Sequence, residues 1–163
     1  MHLASPQRRQ LLQVVAAFFV ACGVAPLPAA PLAVPDASER RTLAAFVDVL
    51  LPRDALSPAA SELQVDDMLW QLAGHDARFR QLLALGCQWL NLGEQGQFAA
   101  LAPEQQQAVV AWMAESDWNH PPRRFYELVR QSAISGYYSQ PAARAGLDLP
   151  LAPQPQGYPP PWD

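Results

Sequence analysis

An all-α bundle of about five helices is the fold this sequence predicts, on three observations. Apolar residues recur at i, i+3, i+4 and i+7 in one segment after another from Asp36 onward. No alternating apolar and polar run is long enough to indicate a sheet. The 17 prolines are clustered: four lie between Pro26 and Pro35 and seven between Pro141 and Pro161, so the stretch between is poor in helix breakers. The 163 residues therefore divide into a leader and linker at 1–35, a helical body at 36–138 and an irregular, proline-rich tail at 139–163.

Each helix has its own signals. Asp36 followed by Glu39 makes a capping box, after which Leu43, Phe46, Val47 and Leu50 form one stripe that Pro52 stops. Ser57-Pro58-Ala59-Ala60 is a turn. Val65, Met68, Leu69 and Leu72 then build a second stripe, with Asp66, Asp67 and Gln71 facing away, ending at Gly74. Asp76 caps a third helix carrying Phe79, Leu82, Leu83, Trp89 and Leu90, and Gly93 with Gly96 marks its end. Pro103 at a first helical position, beside Glu104, starts a fourth that presents Val109, Trp112 and Met113. Pro121 and Pro122 open a fifth, with Phe125, Leu128, Val129 and Ala133 on one side and a stop at Gly136.

The first 35 residues carry Arg8 and Arg9 and no acid, the charge asymmetry of a targeting peptide. Arg8-Arg9 with Leu11 and Leu12, ahead of an apolar run from Val14 to Ala21, resembles the twin-arginine export signal, which is read by the Tat translocase and passes proteins already folded. The other reading is a general-secretion signal that happens to contain two arginines. The apolar run is too short to span a bilayer, for which about 20 residues are needed. Phe19-Val20-Ala21-Cys22 resembles a lipobox with Phe where Leu is usual, so Cys22 is either a candidate for lipidation or is lost with the peptide. Cys87, among Leu83, Leu85 and Leu90, reads as a small buried hydrophobe without reactivity.

All 11 basic residues are arginine, and from Asp36 onward nine of them face 15 acidic residues, a net charge of −6 that argues against nucleic acid as a partner. No Cys-x-x-Cys-His for a covalent haem, no glycine-rich phosphate loop and no spaced His or Cys ligands for a metal are present. No catalytic, cofactor-binding or metal-binding residue is assigned. The paired Asp66 and Asp67 read as solvated. A pocket of Asp117, His120 and Tyr126 is the only enzyme reading the residues offer, and it is the weaker one.

Partner contacts are the better prospect. Arg123 and Arg124 sit at the start of the fifth helix, where the helix dipole disfavours positive charge, and either Glu127 one turn on or a partner's carboxylate must offset them; the internal pair is the simpler solution. Trp112, Trp118, Tyr126, Tyr137 and Tyr138 bring large amphipathic rings to the same part of the chain. The tail is too rich in proline for a helix, and its Tyr158 and Trp162 suit a strap that docks on a partner or packs back on its own bundle. The candidate contacts are thus Arg123, Arg124, Tyr126, Tyr137, Tyr138, Tyr158 and Trp162.

In order and spacing, these segments resemble the gluconate 2-dehydrogenase subunit 3 family. The similarity begins with the twin-arginine leader and continues through Phe46-Val47-Asp48-Val49-Leu50-Leu51-Pro52-Arg53-Asp54, then Phe98 with Leu101-Ala102-Pro103-Glu104-Gln105-Gln106. It closes with Phe125 to Arg130, with Gly136-Tyr137-Tyr138-Ser139-Gln140-Pro141 taken as a turn, and with Gly157-Tyr158-Pro159. The family's tail often has a Gly-Gly-Asn and a Trp before its Gly-Tyr-Pro, and the stretch from Arg144 to Gln156 has neither. The resemblance implies a non-catalytic small subunit of a periplasmic dehydrogenase of sugars or sugar acids, associated with the inner membrane through its partners or a lipid anchor. Its partner would be a large subunit of the glucose-methanol-choline type that holds FAD, often joined by a multihaem cytochrome with haem c. The small subunit would supply the export signal and support maturation. The alternative is a stand-alone exported helical binding protein or lipoprotein.

Overall fold

The computed structural model describes residues 34–93 and 96–147. Arg8, Arg9, Leu11, Leu12, Cys22, Tyr158 and Trp162 lie outside the described residues. The fold is all-α: α1 (Ala37–Leu50), α2 (Val65–Ala73), α3 (Ala77–Asn91), α4 (Pro103–Glu115) and α5 (Pro121–Ser139), with short 3-10 turns at Ser61–Leu63, Phe98–Ala100 and Pro141–Arg144. Among the described residues there is no strand, and no helix is long and apolar enough to cross a membrane.

Helix starts follow the local chemistry. The Asp36 carboxylate accepts from the Glu39 amide at 2.7 Å while the Glu39 carboxylate accepts from the Asp36 amide at 3.1 Å, so two of the four orphan donors of α1 are satisfied reciprocally. Asp76 takes the amides of Arg78 and Phe79 at 2.8 and 3.1 Å. Proline opens both α4 and α5, where its missing N–H costs no intrahelical bond. Between the Ser61–Leu63 turn and α2, Gln64 takes a left-handed conformation (φ 57°), which turns the chain sharply enough for α2 to fold back on α1.

Helix α1 is the centre of the bundle and touches each of the other four. Its Leu43, Phe46 and Val47 are fully buried, and the Phe46 ring lies 6.1 Å from Phe98 and 5.2 Å from Phe125. A polar hub closes α1 against α3 and the loop that follows it. Asn91 accepts from the Thr42 hydroxyl at 2.8 Å and from the Phe98 amide at 3.2 Å, and its amide nitrogen donates to Ser38 at 3.2 Å. A buried ion pair, Arg80 with Glu39 at 3.5 Å, joins the same two helices, and the Arg80 guanidinium also covers the Trp70 ring at 4.6 Å.

Three stripes differ from the simple periodic reading. In α2 the inward residues are Val65, Leu69, Trp70 and Ala73, while Leu72 is exposed and Met68 half-buried. The helix is rotated because the Trp70 indole turns in to meet Arg80, which displaces the stripe by about one position. In α4 it is Val110 and Met113 that are buried, with Val109 half-buried and Trp112 outside. In α5 Leu128 is exposed although Phe125, Val129 and Ala133 are buried as predicted.

Nor does α5 stop at Gly136; it runs to Ser139. A Cβ on Gly136 would stand 2.2 Å from Cε of Met68, the flexible end of an α2 side chain that packs over the glycine. The cost of a glycine inside a helix, about 1 kcal/mol, is outweighed because continuation buries Tyr137. Tyr137 donates its hydroxyl proton to the Pro58 carbonyl at 2.6 Å, and Gln140 donates to the Leu63 carbonyl at 2.8 Å. These two bonds fasten the end of α5 to the segment between α1 and α2.

Candidate docking surface

The loop from Ser116 to His120 brings α4 and α5 together at one corner of the bundle, and five rings and two arginines collect there. Trp89 of α3 stacks on Trp112 of α4, with centroids 5.9 Å apart and planes within 15°. His120, the residue before α5, meets Trp112 edge-on at 5.8 Å. Beside this stack the Trp118 indole faces both guanidinium groups, Arg124 at 5.0 Å and Arg123 at 5.6 Å, and Arg123 also lies 5.8 Å from the Tyr126 ring. Trp112 and Trp118 are 49% and 53% exposed. Indoles held in geometry by neighbours and left half in water keep a large apolar area available for contact.

The two arginines of this corner differ in their electrostatics. Arg123 forms the predicted pair with Glu127, one turn on, at 2.7 Å. Arg124 is exposed, and among the described residues its side chain has one polar contact, a 3.4 Å hydrogen bond to the neutral amide oxygen of Asn119. The first turn of α5 carries no acidic residue. A positive charge therefore stands at the positive end of a helix dipole with no carboxylate of the described residues paired to it.

The other candidate contacts are placed differently. Tyr137 is 2% exposed and bonded to Pro58, so its ring belongs to the interior and is not offered to a partner by this chain. Tyr138 is 46% exposed and leans edge-on against Tyr137 at 5.1 Å. A second surface feature lies between α2 and α5, an open groove of about 530 Å³ lined by Met68, Leu72, Leu128, Ser132 and Ser135. It is made by the two leucines that the helical stripes place inside and the structure places outside.

No side-chain hydrogen bond joins Asp117, His120 and Tyr126. The Asp117 carboxylate accepts from the Asn119 amide at 2.9 Å, a turn-stabilising role, and His120 packs on Trp112. Asp66 is half-buried rather than fully solvated, and burial first, then the like charge of Asp67, holds its carboxyl above the usual range. Asp67 itself pairs with Arg40 at 3.0 Å. Cys87 is buried as predicted, and burial pushes its thiol well above its ordinary value, which disfavours the reactive thiolate. Among the described residues no three His, Cys, Asp or Glu side chains are grouped as metal ligands would be.

Trp118 is the residue of this corner that helical periodicity could least place. It falls outside every helical stripe, between Asp117 and Asn119 in a turn, and that position is itself the signal: an indole that no amphipathic face claims has no core to enter.

Residues 37–149 match the family model described as gluconate 2-dehydrogenase subunit 3, a span that includes all five helices. No curated protein matches the chain, and no solved structure does.

Proposed function

Because the chain belongs to the gluconate 2-dehydrogenase subunit 3 family, we propose that it is the non-catalytic small subunit of a periplasmic FAD-dependent dehydrogenase that oxidises a sugar or sugar acid. Membership makes it one subunit of a gluconate dehydrogenase complex and so implies partner subunits. The partner in this reading is a large subunit of the glucose-methanol-choline type that holds FAD, and a multihaem cytochrome carries haem c and takes the electrons. The small subunit accompanies the large one through the Tat translocase and supports its maturation.

The observation that carries the reading is the family match across the whole helical body, joined to the leader's Arg8-Arg9 and Leu11-Leu12. An export route for folded proteins suits a chain that must leave the cytoplasm bound to a cofactor-loaded companion, because a flavin is inserted only into a folded site. Among the described residues, grouped polar side chains cap helices, join α1 to α3 or pair at the surface. The lipobox-like Phe19 to Cys22 adds a second possibility for where the complex resides, a lipid anchor that holds it at the inner membrane.

The test is a substitution that keeps the charge of the leader and removes its receptor signature. Arg8→Lys with Arg9→Lys is expected to leave flavin-dependent dehydrogenase activity in the cytoplasm and deplete it from the periplasm. Normal periplasmic activity of the flavoprotein in that strain would refute the export role.

A further inference from the structure

We propose that Trp118 and Arg124, with Trp112 beside them, form the contact through which this chain grips a carboxylate-bearing face of its flavoprotein partner. The inference rests on the small-subunit reading and adds to it the surface used and the chemistry opposite. A half-exposed indole under an arginine, Trp118 with Arg124, and a second half-exposed indole, Trp112, held by Trp89 and His120 at the same corner have the composition of an interface anchor, since Trp, Tyr and Arg carry most of the binding energy in protein interfaces. Burying the exposed halves of Trp112 and Trp118 removes a large apolar area that the isolated chain leaves in water.

Charge decides what lies opposite. From Asp36 onward the chain carries a net −6, so a locally cationic corner stands out against the rest of its surface. Arg123 is neutralised internally by Glu127, whereas among the described residues the polar contact of the Arg124 side chain is the Asn119 amide. The Arg124 guanidinium lies over the Trp118 indole at 5.0 Å, which restricts its position before any partner arrives. A planar guanidinium so restricted takes a carboxylate bidentately, and less side-chain entropy is lost on docking than for a free arginine.

Other occupants fit less well. Recognition of an anionic membrane uses clusters of about four to eight basic residues, and this corner has two, one of them already paired. A second copy docking by the same face would set like charges against each other. A protein surface bearing one or two carboxylates next to apolar groups matches the mixture of indole and guanidinium.

The experiment uses the full chain co-expressed with the flavoprotein subunit, and measures the affinity of the purified subunits at low and moderate salt. Trp118→Ala is expected to weaken binding by about tenfold and Arg124→Glu by about thirtyfold or more, with Arg124→Gln intermediate. Arg130→Glu, an exposed charge on α5, serves as the control and leaves affinity unchanged. Circular dichroism and melting temperature like those of the parent show that the variants fold. Wild-type binding of Trp118→Ala and Arg124→Glu overturns the inference and leaves the small-subunit reading intact. A wild-type chain that binds no flavoprotein at all overturns both. Pelleting of the chain with phosphatidylglycerol vesicles that depends on Arg124 also overturns it, in favour of a lipid surface.

Discussion

Gly86 sits in the middle of α3 facing α5, and replacing it with alanine sets two known effects against each other. Alanine is better than glycine inside a helix by about 1 kcal/mol. The added Cβ, however, would stand 2.0, 2.2 and 2.8 Å from three ring carbons of Phe125. That ring is almost fully buried and braced at 5.2 Å by Phe46, so it cannot swing away as a flexible chain end can. Overpacking of a rigid site costs about 3 kcal/mol, and the net effect of Gly86→Ala is a loss of about 2 kcal/mol. For a body of this size the melting temperature should fall by roughly 10 °C, read by thermal or urea unfolding. Gly136→Ala is the internal comparison. Its Cβ meets only the terminal Cε and Sδ of Met68, a half-buried and flexible side chain, so the same substitution should be neutral or slightly stabilising. Gly86→Ala with Phe125→Leu should recover part of the loss by removing the ring. A Gly86→Ala protein as stable as its parent would refute the claim that a close α3–α5 seam seats Phe125, and with it the placement of Arg124 one residue before.

Other substitutions test separate parts of the fold. Tyr137→Phe removes the 2.6 Å bond to the Pro58 carbonyl and should cost about 1 kcal/mol; an unchanged melting curve contradicts the fastening of α5 to the α1–α2 segment. Asn91→Ala leaves the Phe98 amide and the Thr42 hydroxyl without their acceptor and should cost about 2 kcal/mol in urea unfolding, whereas no loss refutes its role as the hub. For Asp66 the sign follows from its raised carboxyl pKa: the favourable contribution is present below the unfolded value and is lost as pH rises through the folded one. At pH 7 the ionised group opposes folding, so Asp66→Asn should melt higher than the parent there, with the advantage shrinking as pH falls toward about 4, near the unfolded carboxyl pKa. A variant that melts lower at pH 7 sinks that reading.

Much of this fold is legible because its signals are local. Capping by Asp36 with Glu39 and by Asp76, the prolines that open α4 and α5, and the periodic apolar residues each act within one or two turns. What periodicity misses is tertiary. Leu72 and Leu128 look like core residues until the Trp70–Arg80 contact rotates α2 and the approach of Met68 to Gly136 sets the α2–α5 seam. Gly136 reads as a stop because what carries the helix past it is tertiary, the bond from Tyr137 to the Pro58 carbonyl 79 positions away along the chain. Arg80 and Glu39 give no hint of burial by themselves, for the partners that make them tolerable inside, each other and the Trp70 ring, are far away in the sequence.

The docking corner is legible in part for the same reasons. The Arg123–Glu127 pair follows from helical spacing alone, and it is present. Tyr126 and Arg124 sit at the corner as the accumulation of rings there suggests. Tyr137 does not, because adjacent tyrosines on a helix point about 100° apart and only Tyr138 can face outward. Trp89, carried by the third helix, joins Trp112 of the fourth through a ring contact that no pattern within either helix encodes.

The most direct test of the account is the flavin content of this protein isolated gently, with its native partners, from the periplasmic and membrane fraction. A small subunit shipped with a cofactor-loaded companion should elute in a complex with about one FAD per chain, and Arg8→Lys with Arg9→Lys should move both to the cytoplasm together. If the chain elutes as a colourless monomer while the flavoprotein is exported without it, the account is contradicted.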